Sequence, residues 1–291
     1  MDGDTLALRI SWPKQRDLMR PAQGARRDAF LQKIGTRPLL MGIVNVTPDS
    51  FSDGGQFFNT SAALELAKRL AAEGADIIDV GGESTRPSAT PLPVEEELTR
   101  IEPVFAALDG ALDVPVSIDT YKAHVAARAV ELGAILINDV WGLQKDPAMA
   151  SVVAQTSAAV AIMHNRAEKD ASVDILADMR RFFERSLKLA ADAGIPSDHI
   201  ILDPGIGFAK TSQQNIDAIR RLPEIRDYGL PILIGASRKA FLGSTSDGGE
   251  ASLVGTIAIS LAAAVNGASL FRVHDVAAHV TAFRAFQAVR A

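Results

Sequence analysis

LLMGIVNVTPDSFSDGG, residues 39–55, changes character part-way along its length. From Leu39 to Val44 it is a continuous apolar run, the pattern of a strand buried on both faces. At Asn45 it turns polar, and a loop follows that carries Pro48, the carboxylates Asp49 and Asp53, and the pair Gly54-Gly55. A buried strand that opens into a polar, glycine-punctuated loop is how α/β enzymes present functional groups.

The same design recurs down the chain. Further apolar runs begin near Asp76 (DIIDVGG), Pro115 (PVSIDT), Ala134 (AILIND), Ala159 (AVAIMH), Ile200 (IILDPG), Pro231 (PILIGAS) and Ser269 (SLFRVH). Helical patterns lie between them. Ser61–Glu73 follows a Thr60/Ser61 cap and ends at Gly74, and Glu95–Leu108 and Lys122–Leu132 have helical periodicity, the latter stopped by Gly133. Val173–Ala193 is amphipathic and closed by Gly194, while Ser252–Val265 and Val276–Val289 are Ala-rich. Strand–helix units in this number predict a (β/α)8 barrel, also called a TIM barrel. A doubly wound sheet is the competitor, but no GxGxxG or GxxxxGK[ST] phosphate fingerprint is present. Residues 1–38 do not fit the pattern and read as a short N-terminal extension, with a short strand over Thr5–Ile10 and weak helical character from Arg20 to Lys33. Residues 39–291 then form a single barrel domain.

Composition narrows the function. The chain has 291 residues, 47% of them hydrophobic, which is ample for a core and argues against disorder. A net charge of −5 argues against nucleic acid or an anionic membrane as the main partner. The absence of cysteine excludes disulfides, thiolate catalysis and Cys-based metal sites. The stretch MDGDTLALRI lacks the features of a secretory signal, and no apolar run reaches membrane-spanning length, so a soluble cytoplasmic protein is expected.

The eight runs finish in Asn45; Glu83-Ser84-Thr85-Arg86; Asp119; Asn138-Asp139; His164-Asn165; Asp203; Ser237-Arg238-Lys239; and Arg272 with His274. In a barrel these ends converge on the face that carries the active site. A lone Asp there would be an ordinary helix cap, but Arg, Lys and His cap helix starts poorly, so the set favours catalysis. The cations Arg86, Arg238, Lys239 and Arg272, clustered within an acidic protein, suggest a phosphate-bearing substrate. Asp119, Asn138 and Asp203 suit the edge of a planar nitrogen heterocycle. The expected mouth is therefore cationic on one side and carboxylate-plus-amide on the other.

At these residues the sequence resembles dihydropteroate synthase. The blocks that carry the resemblance are MGIVNVTPDSFSDGG (41–55), IIDVGGESTRP (77–87), SIDT (117–120), INDV (137–140), LDPGIGF (202–208), GASRK (235–239) and RVHDV (272–276). The family is a (β/α)8 barrel, usually a homodimer, that uses Mg2+ to join 4-aminobenzoate to a dihydropterin pyrophosphate. The resemblance implies a pterin site at Asp119, Asn138, Asp203 and Lys239. It implies a pyrophosphate site at Asn45, Thr85, Arg86, Arg272 and His274, with Asn45 as metal ligand. It implies an aminobenzoate site at Ser237 with the adjoining helix start, Arg238, Phe208 and Pro87. Catalytic roles would fall to Asp119, Asp203, Lys239 and Asn45. The segment MHNRAEKD (163–170) departs from the Met-Gln-Gly-type continuation of many members.

Two other readings compete. A methyltetrahydrofolate-dependent methyltransferase domain would share the pterin contacts but has no use for a pyrophosphate clamp. A non-catalytic pterin-binding paralogue would be expected to lack Asn45, Arg86, Lys239 or Arg272, and all four are present.

Overall fold

A computed structural model describes residues 19–47, 56–84, 90–239 and 248–290, with the backbone alone for 56–59 and 248–252. Eight parallel strands alternate with helices: β1 Leu39–Asn45, β2 Ile77–Gly81, β3 Val116–Asp119, β4 Leu136–Asp139, β5 Ala159–Met163, β6 Ile200–Asp203, β7 Leu233–Ile234 and β8 Leu270–Val273. Their order is β6-β5-β4-β3-β2-β1-β8-β7. A parallel bridge between Leu202 and Ile232 joins the two ends and closes the barrel. The predicted (β/α)8 architecture is therefore observed.

The helices are α1 Pro21–Lys33, α2 Gln56–Glu73, α3 Val94–Leu108, α4 Ala123–Glu131, α5 Met149–Thr156, α6 Ile175–Ala193, α7 Ser212–Arg220, the single turn α8 Leu222–Ile225, α9 Gly248–Val265 and α10 Val276–Arg290. One expected start is corrected. Helix α2 begins at Gln56, so Thr60 and Ser61 lie inside it rather than capping it. Both residues are tolerated in helix interiors, which is why a hydroxyl alone does not mark a start. Helix α6 is capped at its start by Asp174, whose carboxylate accepts from the backbone N–H of Leu176 and Ala177, and at its end by Gly194 in the left-handed conformation.

Side chains alternate along each strand, and the alternation divides the core in two. Ile78, Val80, Ile118, Ile137, Val160 and Phe271 face outward and pack under the helices. Leu39, Met41, Ile77, Leu136, Ala159, Ala161, Ile201, Leu233 and Leu270 face inward and fill the lower lumen. Helix α1 seals that floor. Its Phe30 joins the lumen cluster, and its Gln23 donates to the carbonyls of Val130 and Ala134. Arg26 reaches the carbonyls of Leu112, Asp113 and Val114 just before β3. The proposed strand over Thr5–Ile10 lies outside the described residues. No helix among the described residues is long and apolar enough to cross a membrane.

Candidate active site

Above the apolar floor the inward positions become polar. On β2 and β3 they are Asp79, Ser117 and Asp119, on β4 Asn138, on β6 Asp203 and on β8 Arg272. Register places Gly81 beside both Asn45 and Asp119, and Asp119 beside Asn138. Gly81 lies between Asn45 and Asp119: a Cβ there would sit in ordinary contact, 3.6 Å from Asn45 Oδ1 and from Asp119 Oδ2. A narrow cavity at this level is lined by Asp119, Asn138, Val140, Met163, Asp203, Ile206, Phe208, Gly235, Lys239 and Arg272. Six residues expected at the site from sequence, Asp119, Asn138, Asp203, Phe208, Lys239 and Arg272, thus meet in one place.

The expected division of the mouth into a cationic side and a carboxylate side is not what forms. Arg272 sits among the acids, its Nε donating to Asp79 Oδ2 and its Nη2 to Asp119 Oδ2, both at 2.6 Å. A guanidinium brought this deep needs carboxylates at once, because unpaired burial is too costly. Asp79 was not among the expected site residues. It is fully buried, accepts from Ser117 Oγ at 2.6 Å and from Asn138 Nδ2 at 3.2 Å. Its signal in the sequence is a carboxylate in mid-strand at an inward position.

Burial shifts the titrations of this set. It pushes Asp203 up to about 6, against the pull of the Gly205 N–H and of Lys210. It pushes Asp119 up to about 7, outweighing the Arg272 guanidinium. Lys239 is driven down to about 8 by burial and by Arg272, and its ammonium lies 4.1 Å from the centre of the Phe208 ring. Two acceptor atoms, Asp119 Oδ1 and Asn138 Oδ1, are buried without a hydrogen-bond partner among the described residues. Buried acceptors left unsatisfied are costly in a folded protein, and here both belong to residues that line the cavity.

The loop after β6 is shaped by Gly205, at φ +66°, where a Cβ would collide with the carbonyl oxygen of His164. Asp203 Oδ1 accepts from its N–H at 2.7 Å. Lys210, also unforeseen, stitches this loop by donating to the carbonyls of Gly205, Phe208 and His164. Burial lowers it to about 7.

At the rim, Ser237 Oγ and His274 Nδ1 are 2.9 Å apart. Burial and the nearby Arg238 and Arg272 push His274 down to about 4, so at neutral pH it offers a hydrogen bond rather than a charge. Arg238 is exposed, has φ +56° and is paired with Asp275 at 2.7 Å. Its N–H donates to Thr256 Oγ1 of α9. That helix is described from Gly248, and α10 starts at Val276, two residues beyond the His274 that Ser237 contacts.

Asp139, Asn165 and His164 are engaged away from the cavity, as is Glu83, which accepts from Tyr121 and Lys122. Asp139 closes its own loop by accepting from Trp141 and Leu143 N–H. Asn165 donates to the Val140 carbonyl. His164 is fully buried outside the barrel, 3.2 Å from Asp178 and edge-on to Phe182. Convergence is therefore narrower than all eight endings. Thr85, Arg86 and Pro87, with Asp49 and Asp53, lie outside the described residues. No cluster of three or more His, Cys, Asp or Glu that could hold a metal occurs among the described residues.

Residues 41–274 match the family of pterin binding enzymes. The chain is 47% identical over 248 residues to the dihydropteroate synthase of Clostridium beijerinckii, covering 84% of this chain and 91% of that protein. It superposes on a dihydropteroate synthase from Clostridium difficile, solved in the presence of pteroic acid, with a TM-score of 0.85 and 47% identity over 88% of this chain and 98% of that one. For the Xanthomonas albilineans enzyme with 4-aminobenzoic acid the TM-score is 0.83 at 44% identity, over 88% and 94% of the two chains.

Proposed function

The chain belongs to the pterin binding enzymes as a dihydropteroate synthase, and from that premise we propose how its residues join a dihydropterin pyrophosphate to 4-aminobenzoate. The observation that carries the proposal is the pair of unsatisfied acceptors, Asp119 Oδ1 and Asn138 Oδ1, in the cavity that Asp203 and Lys239 also line. A pterin's amino and ring N–H groups are donors on one planar edge and would satisfy such acceptors. Asp203 takes a further donor, and Lys239 supplies a donor to a ring acceptor.

The pyrophosphate lies toward the rim, at Asn45, Thr85, Arg86, Arg272 and His274. Asn45 offers one amide oxygen beside Gly81. That donor set fits Mg2+, which takes few protein ligands and fills its shell with substrate phosphates and water. Bound Mg2+ supplies charge neutralisation on the leaving group. The CH2–O bond breaks with its electron pair going to pyrophosphate. Asp119 and Asp203, as carboxylates, stabilise the pterin-methyl cation that remains. The neutral amine of 4-aminobenzoate attacks that carbon and then loses a proton. Ser237, Arg238, Phe208 and Pro87 hold the aminobenzoate.

The test is release of pyrophosphate on mixing the protein with pterin pyrophosphate, Mg2+ and 4-aminobenzoate. Release that requires all three is expected; pterin binding without turnover would instead favour a non-catalytic paralogue. We further propose a cytoplasmic homodimer, for which sedimentation should give twice the chain mass.

A further inference from the structure

Resting on the pterin reading above, the geometry points to Asp79 as the positioning residue that fixes the polarity of Asn138, and with it the donor–acceptor pattern of the ring edge this pocket accepts. Asp79 does not line the cavity. It lies directly beneath, fully buried, and both its oxygens are engaged. Oδ1 accepts from Ser117 Oγ. Oδ2 accepts from Arg272 Nε at 2.6 Å and from Asn138 Nδ2 at 3.2 Å.

A carboxamide has two ends of nearly equal shape and opposite hydrogen-bonding character, so its surroundings decide which way it points. A carboxylate only accepts. Asn138 must therefore turn its NH2 down toward Asp79, which leaves Oδ1 facing the cavity as an acceptor. With Asp79 gone, the charged group left beside the former Oδ2 position would be the Arg272 Nε–H, which only donates. It would draw the amide oxygen down and turn the NH2 up into the cavity. The pocket would then offer a donor where it now offers an acceptor.

The consequence is selectivity at one atom of the ligand. Asp119 and Asn138 are register partners on adjacent strands, and each carries a buried oxygen with no hydrogen-bond partner among the described residues, so the pair would present two acceptors to a ligand edge. A pteridine with an amino group beside a ring N–H matches them. One with a carbonyl in the amino position sets oxygen against oxygen, a mismatch that sites built on hydrogen bonds reject strongly.

The experiment measures equilibrium binding of a 2-amino-4-oxopteridine and of the corresponding 2,4-dioxopteridine to the wild type, Asp79→Ala and Asp79→Asn. The wild type should prefer the amino compound. Asp79→Ala should shrink that preference by about tenfold or more. Asp79→Asn should keep it within about threefold: Arg272 Nε–H holds the new amide oxygen where Oδ2 was, and the new NH2 meets Ser117, whose hydroxyl can turn to the Ile78 carbonyl. Equal loss of both ligands in Asp79→Ala, or loss of the preference in both variants, would overturn the assignment. A wild type that binds neither compound would overturn the pterin reading instead. Should Asp79→Ala fail to fold, NMR of the wild type decides. The Asn138 NH2 protons should show no nuclear Overhauser effect to a bound pteridine, and contacts between them would overturn the assignment.

Discussion

The floor and the mouth of the barrel lumen are built on the same strands and are equally dry, yet they hold opposite chemistry. Leu39, Ile77, Leu136, Ile201 and Leu270 at the floor are 0% exposed. Asp79 and Ser117 are also 0% exposed, and Asp119, Asn138 and Asp203 are at most 5%. Each floor side chain contributes about 1.5–3 kcal/mol by leaving water. Each ionisable group at the mouth costs desolvation that only its partners offset. Fold and function are thus separated by height along one set of strands. The floor stabilises the barrel, and the mouth holds polar groups poised for a ligand that completes their hydrogen bonds.

The sharpest way to break this comparison is to remove one charge from the mouth. Arg272→Met leaves Asp79 and Asp119 without their shared counter-ion and is expected to cost about 3–5 kcal/mol in urea unfolding. Replacing the three charges together, with Asp79→Leu and Asp119→Leu added, should recover most of that loss and leave no pterin binding. A single substitution that stabilises would mean the ion pairs are not formed as described. At the floor the expectation reverses. Ile201→Ala should lose about 2–5 kcal/mol of stability, while pterin affinity measured on the folded protein stays within about twofold, because the cavity lies above it. A large change in affinity there would show that the two levels are coupled.

The sequence made the strands legible because parallel strands covered on both faces are near-continuous apolar runs, and all eight stand out. Asp119, Asn138, Asp203 and Arg272 were legible because they sit at or near strand ends. Asp79 and Ser117 were missed because they lie inside runs that read as uniformly buried. His164 and Asp139 sit at strand ends, yet parity keeps them from the mouth. Counting alternate positions back from Met163 sends His164 outward to α6, and from Asn138 it sends Asp139 away from the lumen. Helices α5 and α7 were not read from the sequence. For α7 a local signal did exist: Thr211 and Gln214 form a capping box. How deep Arg272 would sit between two carboxylates is a property of three strands brought together, and no single segment of the chain encodes it.

The smallest expected effect is on pH. Burial raises Asp203 to about 6, so its carboxylate form falls roughly tenfold between pH 7 and pH 5. If that carboxylate accepts a pterin N–H, affinity should fall about tenfold through Asp203 alone over the same interval, and further through Asp119, raised to about 7, when measured by calorimetry at constant ionic strength. Thermal stability would be a poor readout. A carboxylate with a raised folded pKa contributes stability that is present at low pH and lost as pH rises, whereas His164 and His274, each pushed down to about 4, contribute the opposite trend between their folded values and the ordinary imidazole range. The two trends overlap between pH 4 and 6.5 and largely offset each other, but neither histidine lines the pterin cavity, so binding isolates the acids. Asp203→Asn removes the Asp203 share of the titration and leaves that of Asp119. Its weaker affinity should be flatter across this range, and a slope equal to the wild type's would assign the pH dependence to another group.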